Sequence, residues 1–482
     1  MHLSFAFFIF VKNYSMNQNS TICAISTPPG KGAIAVIRIS GKETYNICEK
    51  IFKPSKKEKI ISKEKPYTIH HGFIHKNNEV IDEVLISLFK APHSFTGEDM
   101  IEISCHGSPY IQQQIMQILI EEGAQLAKPG EFSLRAFLNG KIDLSQAEAI
   151  ADLIASTNKA MHDTAIKQMR GHFSSELKKL RDKLLNFISL IELELDFSEE
   201  DVEFADRSQL KTIVNEIKSI IDNLLQSFEY GNVLKNGIQV AIIGKPNVGK
   251  STLLNAILKE EKAIVSEIAG TTRDAIEDVI IIDGIQFRFI DTAGLRETDD
   301  MIESLGIKVT HEKITKAKII LWLADAEDCL AEINKGINDI KILLNDTQRL
   351  FVLINKIDKY TGEQINAKFG EIKFSGLNKN DRIIKISAKK HINFDVLYKE
   401  LINSVLPEHQ PDIIINNIRH YEALKFAADA LTRVNEGLNQ KLPNDLLAQD
   451  IRETLHYLGE ITGEITTDEI LGNIFKNFCI GK

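Results

Sequence analysis

Residues 238–258 read IQVAIIGKPNVGKSTLLNAIL, and this stretch decides the fold. Ile238 to Ile243 is a short apolar run of the kind that forms a buried strand. From Ser251 onward the apolar residues recur at helical spacing. Between the two, GKPNVGKS (Gly244 to Ser251) matches the phosphate-binding loop pattern in the strand–loop–helix setting that the pattern requires. Gly244 and Gly249 let the backbone turn its N–H groups onto phosphates, and Asn247, Val248 and Thr252 belong to the same nucleotide-binding wrap. Lys250 brings positive charge to the β- and γ-phosphates and counts as a catalytic residue. Ser251 offers a hydroxyl to Mg²⁺, and the helix N-terminus favours the anion.

Working outward, further apolar strands are expected at Val279–Ile282, Phe287–Ile290, Ile319–Leu323, Leu350–Ile354 and Ile383–Ile386, with Asp283-Gly284 as a hairpin turn. Helical segments separate most of them, which predicts a largely parallel, doubly wound sheet. Three more motifs fall at strand ends. DTAG supplies Asp291, Thr292, Ala293 and Gly294, where Asp291 holds the magnesium water shell and the Gly294 N–H meets the γ-phosphate. NKID supplies Asn355, Lys356 and Asp358, whose carboxylate accepts the N1 and N2 hydrogens of guanine. SAK supplies Ser387, Ala388 and Lys389, with a backbone N–H for the guanine O6. Four such elements in order select guanine. Between the first and second lies Gly270-Thr271-Thr272-Arg273-Asp274, preceded by Ser266, Glu267, Ile268 and Ala269. Thr272 is the better candidate for Mg²⁺ and Thr271 the weaker. Leu295 stands where many small GTPases place a water-orienting glutamine. Hydrolysis therefore needs another group, with Glu297, Asp299, Asp300 and Glu303 as acidic candidates.

The rest of the 482 residues exceeds what one core serves, so two or three domains are expected. Residues 20–107 carry short β-branched strands: Thr21–Ser26, Gly32–Ser40, Tyr67–His75, Val80–Phe89 and Met100–Cys105. A helix follows from Tyr110 to Glu122. The lysine-rich stretch Lys53–Lys65 reads as a solvated loop, with contact to RNA as the alternative. From Ile142 helical spacing runs for about ninety residues, opened by a capping box at Ser145 and Glu148. Helical spacing returns from Ile413, and Pro443 starts one of those helices. One helical domain interrupted by an inserted domain accounts for the pattern.

A net charge of −9 argues against a generally sticky nucleic-acid binder, so an RNA partner needs a local basic patch. Five scattered cysteines suit a reducing cytosol and no zinc spacing. The apolar first eleven residues lack a cationic flank and a cleavage site. With Met16 just downstream, they read as an upstream start-site extension, a signal or peripheral segment being the alternative. No other stretch is long and apolar enough to cross a membrane.

From Met16 onward the chain resembles the MnmE (TrmE) family of tRNA-modification GTPases. The resemblance rests on TPPGKGAIAVIRISG (27–41), SFTGEDMIEI (94–103), His106-Gly107, PGEFSLRAFLNGK (129–141), the GTPase motifs with IAGTTRD and DTAGLRET, and CIGK (479–482). It implies an α/β multidomain protein with four parts: an N-terminal α+β folate-binding and dimerisation domain (16–141), a helical domain in two pieces (142–233 and 409–482), and an inserted Ras-like P-loop GTPase domain (234–408). It implies 5-formyl- or 5,10-methylene-tetrahydrofolate at Arg38, Glu102, Lys141 and Lys482. It also implies a K⁺ held by Asn247, Ser266, Ile268 and Thr271 in place of an arginine finger, Glu303 as water-orienting carboxylate, and a role for Cys479 in the modification chemistry. The implied activity is GTP hydrolysis coupled to carbon transfer onto the wobble uridine (position 34) of certain tRNAs. The implied partners are a second copy of the chain, tRNA and a flavoprotein of the MnmG (GidA) type, in the cytoplasm. The rival reading is a ribosome-assembly switch of the Era or Der type. Such a switch usually carries a KH-type module or a second GTPase domain, and neither is evident.

Overall fold

The computed structural model describes residues 20–56, 59–196, 207–259, 278–290, 314–345, 347–369, 376–406, 411–476, 478 and 481. The chain forms two compact units. The first comprises Met1–Ile154, Ala165–Lys218 and Phe426–Lys482, and the second Ala155–Thr164 and Ser219–Lys425.

In the first unit, seven strands form one sheet: β1 (Ile22–Ile25), β2 (Ile34–Ser40), β3 (Phe52–Pro54), β4 (Ile69–Lys76), β5 (Glu79–Phe89), β6 (Met100–His106) and β7 (Gln125–Leu126). Their order is β3-β4-β5-β6-β2-β1-β7. All neighbours are antiparallel except β1 and β7. The period-two alternation of β2 buries Ala35, Ile37 and Ile39 and turns Ile34, Val36 and Arg38 to the other face. The buried set meets Ile47 and Ile51 of helix Thr44–Ile51 and Ile115 and Leu119 of helix Pro109–Glu121. Each such side chain contributes about 1.5–3 kcal/mol when fully buried. Asn77 and Asn78 join β4 to β5 with positive φ at both residues, the geometry of a two-residue hairpin. The short strands β3 and β7 have no signature in the sequence pattern, because two or three residues cannot show an alternation.

The helix Leu144–Ala155 is capped by Asp143 and not by the expected Ser145–Glu148 box. Asp143 Oδ1 accepts the Gln146 N–H at 2.9 Å, while Gln146 Oε1 accepts the Asp143 N–H at 2.9 Å. The box is real but lies two residues earlier, and the Ser145 hydroxyl donates to Asp143 Oδ1. Helices His172–Asp196 and Asn444–Thr462 pack against each other, and Leu184 and Ile191 of the first and Ile451 and Leu458 of the second are buried. Helix Asp468–Lys476 closes on helix Glu131–Leu138, with Leu471 and Phe475 against Leu134 and Phe137. Gly130 permits that approach: its φ is +66°, and a Cβ there would stand 2.6 Å from the Phe475 carbonyl oxygen.

In the second unit, β8 (Ile238–Gly244), β9 (Asp278–Ile282), β10 (Ile285–Phe289), β11 (Ile319–Asp325), β12 (Arg349–Asn355) and β13 (Arg382–Lys385) form a sheet of order β13-β12-β11-β8-β10-β9. The neighbours are parallel except for the β9–β10 hairpin, which turns at Asp283-Gly284 as expected. β11 and β12 are apolar on both faces: Leu321, Leu323, Phe351 and Leu353 enter one core layer, and Ile320, Trp322, Val352 and Ile354 the other. This is the doubly wound architecture expected from the sequence. It brings Gly244, Asp325 and Asn355 together at the carboxyl ends of adjacent strands.

Candidate functional site: a guanine-nucleotide site and a charged cavity

In the second unit the site begins where β8 ends. Gly244 has φ +153°, and a Cβ there would meet the Leu323 carbonyl oxygen at 2.6 Å, so only glycine lets the loop leave against β11. Asn247 (φ +59°) and Gly249 (φ +101°) bend the loop left-handed at its crest, and Lys250 opens the helix Lys250–Leu258. The Lys250 ammonium donates to the carbonyls of Gly244 (2.9 Å) and Lys245 (2.8 Å), which holds it across the loop where phosphate charge would lie. Val248 is buried, while Ser251 and Thr252 are exposed on the first turn.

Asn355 ties three motifs together. Its Nδ2 donates to the Val248 carbonyl at 2.8 Å, and its Oδ1 accepts the Ala388 N–H at 2.9 Å. The side chain is almost wholly buried, so these bonds fix the phosphate loop relative to the base-recognition loops. Asp358 accepts a 2.6 Å hydrogen bond from the Ser387 hydroxyl, which in turn accepts the Lys390 N–H. That hydroxyl is the largest influence and, with the Asp358 N–H and the Lys390 and Lys389 charges, outweighs the opposing effect of burial and holds the Asp358 carboxyl below the usual carboxylate range. It is thus a ready anionic acceptor for two N–H donors. Lys356, in the left-handed region at φ +67°, pairs with Asp325 at 2.6 Å. Burial opposes ionisation of Asp325, but the Lys356 ammonium and the Glu327 N–H prevail and lower its pKa. Lys389 is exposed beside Ala388. The brace at Asn355 and the carboxylate at Asp325 were not foreseen. The motif names Asn355 but not its bonds, and the only sign of Asp325 is an acid ending an apolar strand.

Ser266, Glu267, Ile268, Ala269, Gly270, Thr271, Thr272, Asp291, Thr292, Ala293, Gly294, Glu303, Cys479 and Lys482 lie outside the described residues.

The first unit carries a second site. Arg38 on β2 and Glu102 on β6 are register partners, and Arg38 Nε and Nη2 donate to Glu102 Oε1 at 3.0 and 2.7 Å. Both partly shielded side chains line a cavity of about 440 Å³, whose wall also holds Tyr67, Phe89, Phe95, Met100 and Lys141. Phe95 and Phe132 each place a ring centroid 5.6 Å from the Arg38 guanidinium carbon. From the far end of the chain, the Gly481 carbonyl accepts hydrogen bonds from Arg38 Nη1 and the Ser26 hydroxyl, each 3.2 Å. The stretches 94–103 and 129–141 meet in a buried ionic knot. Arg135 reaches Glu98 at 3.1 Å, Glu131 at 2.9 Å and the Ser20 carbonyl at 2.8 Å, while Glu98 accepts from Ser40. Asn139 donates to the Thr96 carbonyl, and Lys141 to that of Pro92. The knot therefore positions the loop that carries Phe95 and the turn that carries Lys141. Neither it nor the Gly481 contact is visible in sequence spacing, because the partners are dozens to hundreds of residues apart.

Residues 21–141 match the family signature described as GTP-binding protein TrmE N-terminus, and residues 144–479 match the MnmE helical domain. The chain is 55% identical over 474 residues to the tRNA modification GTPase MnmE of Bacteroides thetaiotaomicron, covering 97% of this chain and 100% of the relative. The chain belongs to the MnmE family of tRNA modification GTPases. The MnmE of Flavobacterium johnsoniae is 53% identical over 471 residues with the same coverage. A crystal structure of Era with MgGDPNP and a segment of 16S ribosomal RNA is 31% identical, but covers only 40% of this chain and 66% of its own, with a TM-score of 0.26. The MnmE relatives match along nearly the whole chain. Guanine-nucleotide binding and hydrolysis follow for this member of the MnmE family. Among the described residues, no helix is long and apolar enough to cross a membrane.

Proposed function

We propose that this chain couples GTP hydrolysis to carbon transfer onto the wobble uridine, position 34, of certain tRNAs, adding a carboxymethylaminomethyl or aminomethyl group at C5. The observation that carries the reading is the cavity around Arg38, Glu102 and Lys141 in a chain that also bears a guanine-nucleotide site. Its lining suits a reduced folate. Both Arg38 bonds fall on Glu102 Oε1, so Oε2 is available to accept N–H donors from the edge of a pterin ring. Phe89, Phe95 and Met100 offer apolar walls, and Lys141, with Lys482, offers cations to the acidic tail. A 5-formyl- or 5,10-methylene-tetrahydrofolate held there would supply the one-carbon unit, and glycine or ammonium the nitrogen.

In the GTPase, Ser251 and Thr272 hold Mg²⁺. Asn247, at the left-handed crest of the loop, joins Ser266, Ile268 and Thr271 in holding K⁺. That cation supplies the charge an arginine finger gives elsewhere. Glu303 orients the attacking water in place of the apolar Leu295. In this scheme residues 16–141 bind folate and a second copy of the chain. Residues 142–233 with 409–482 form the helical domain, and 234–408 hydrolyse GTP. A flavoprotein of the MnmG type and tRNA complete the assembly, in the cytoplasm. Nucleoside analysis of tRNA from cells lacking the gene, with and without the chain restored, tests the reading. Restoration of modified uridine at position 34 is expected, and unmodified tRNA despite expression of the restored chain would overturn it.

A further inference from the structure

Between residues 50 and 65 the chain carries seven lysines against two glutamates, although its overall charge is −9. The segment is not a loose tail. Ile61 is buried, the Ser62 N–H donates to Glu49, and the Ser62 carbonyl accepts from Lys90. Three of the lysines have partners: Lys50 pairs with Glu122 at 2.9 Å, Lys53 contacts Asn78, and Lys59 lies 3.7 Å from Glu64. Lys56, Lys63 and Lys65 are exposed and form no ion pair among the described residues. The basic run leads directly to Tyr67, which lines the Arg38–Glu102 cavity.

Tyr67 is two-thirds exposed and sits at φ +60°, a backbone region that bulky residues rarely occupy. Its N–H donates to the Leu88 carbonyl and its hydroxyl to the His93 carbonyl, each at 2.7 Å, and its ring meets Phe89 edge-on at 6.0 Å. A strained residue held this firmly marks a position fixed by its surroundings. Here it sets an aromatic ring at the junction of the lysine run and the cavity.

We infer that Lys56, Lys63 and Lys65 form a ledge for the phosphate backbone of tRNA, on the segment that leads along the chain to the cavity residue Tyr67. The inference rests on the functional reading above and specifies where the RNA lies. A net-acidic protein repels RNA at long range, so a concentrated cationic edge is what permits docking. The ledge carries no sequence information, because lysine contacts to phosphate position a nucleic acid without reading bases.

The test is a Lys56→Gln/Lys63→Gln/Lys65→Gln triple variant of the full chain. It is titrated against fluorescently labelled bulk tRNA by anisotropy at several salt concentrations. Affinity is expected to fall tenfold or more at low salt. The slope of log affinity against log salt should become shallower by about 3, roughly one for each phosphate contact removed. GTP hydrolysis and tetrahydrofolate binding should match the wild type, which shows that the variant is folded. Wild-type affinity with an unchanged slope would overturn the ledge, as would a loss of affinity that light scattering traces to an altered oligomeric state. If the wild-type chain restores no modified uridine in cells, the functional reading fails, and the titration still decides the ledge.

Discussion

Asp358 and Ser387 lie 29 residues apart, yet they form one titrating unit through a 2.6 Å hydrogen bond. We propose that the bonded carboxylate is the form that receives guanine; its pKa is depressed in the folded protein. A depressed pKa keeps the group ionised as pH falls, so binding is present above that pKa and is lost only as pH drops through it. Ser387→Ala removes the largest cause of the depression. The acid limb of GDP binding should then move to higher pH, measured as Kd from about pH 7 to about pH 4 around the usual carboxylate range. An unmoved limb would detach Ser387 from the titration. Asp358→Asn replaces an acceptor with a group that donates, which suits the second carbonyl of xanthine. Competition binding should shift from GTP toward XTP, and an unchanged preference for GTP would remove Asp358 from base recognition. The identity of these residues was legible in the sequence because NKID and SAK are contiguous motifs. Their coupling was not, since spacing says nothing about which hydroxyl meets which carboxylate.

The phosphate loop shows what an element adds to its motif. Its strand, its helix and the two glycines were readable because the pattern demands them, and the structure explains Gly244 through its approach to the Leu323 carbonyl. The left-handed turn at Asn247 was not readable, though it places that side chain on the exposed crest. If that crest holds K⁺ with the loop that follows, hydrolysis should be strongly faster in KCl than in NaCl at matched ionic strength, because loop oxygens suit the larger and less tightly hydrated ion. Equal initial rates in the two salts, from a steady-state phosphate-release assay, would refute the proposal. The capping box misplaced by two residues shows the opposite limit. Asp143-x-x-Gln146 and Ser145-x-x-Glu148 both fit a capping signature, and the sequence pattern alone does not choose between them; the structure uses the first.

At the scale of the molecule, the two units have separate chemistry. Arg38, Glu102, Lys141 and the Gly481 carbonyl belong to one, while the loops from Gly244 to Lys389 belong to the other. Cys479, two residues before Gly481, should therefore matter for modification and not for GTP turnover. Cys479→Ser keeps side-chain size but loses the thiolate. It should abolish wobble-uridine modification in cells carrying only the variant, while the purified protein hydrolyses GTP at the wild-type rate. Full modification would refute the role, and loss of both activities would indicate misfolding. The division into unlike blocks was visible in sequence as a change from strand to helix patterning. The meeting of residues 38 and 481 was not, because no local signal spans 443 positions. That separation also sets an order of events during synthesis. Chains emerge from the ribosome with the N-terminal part first. The strands that hold Arg38 and Glu102 are thus made long before the carbonyl that completes their hydrogen bonding. A nascent or truncated chain that has passed Lys425 already contains the whole second unit, but its Arg38 lacks the bond to the Gly481 carbonyl. Interrupted translation should accordingly yield fragments that consume nucleotide without modifying RNA, a hazard that a cell can remove only by degrading them.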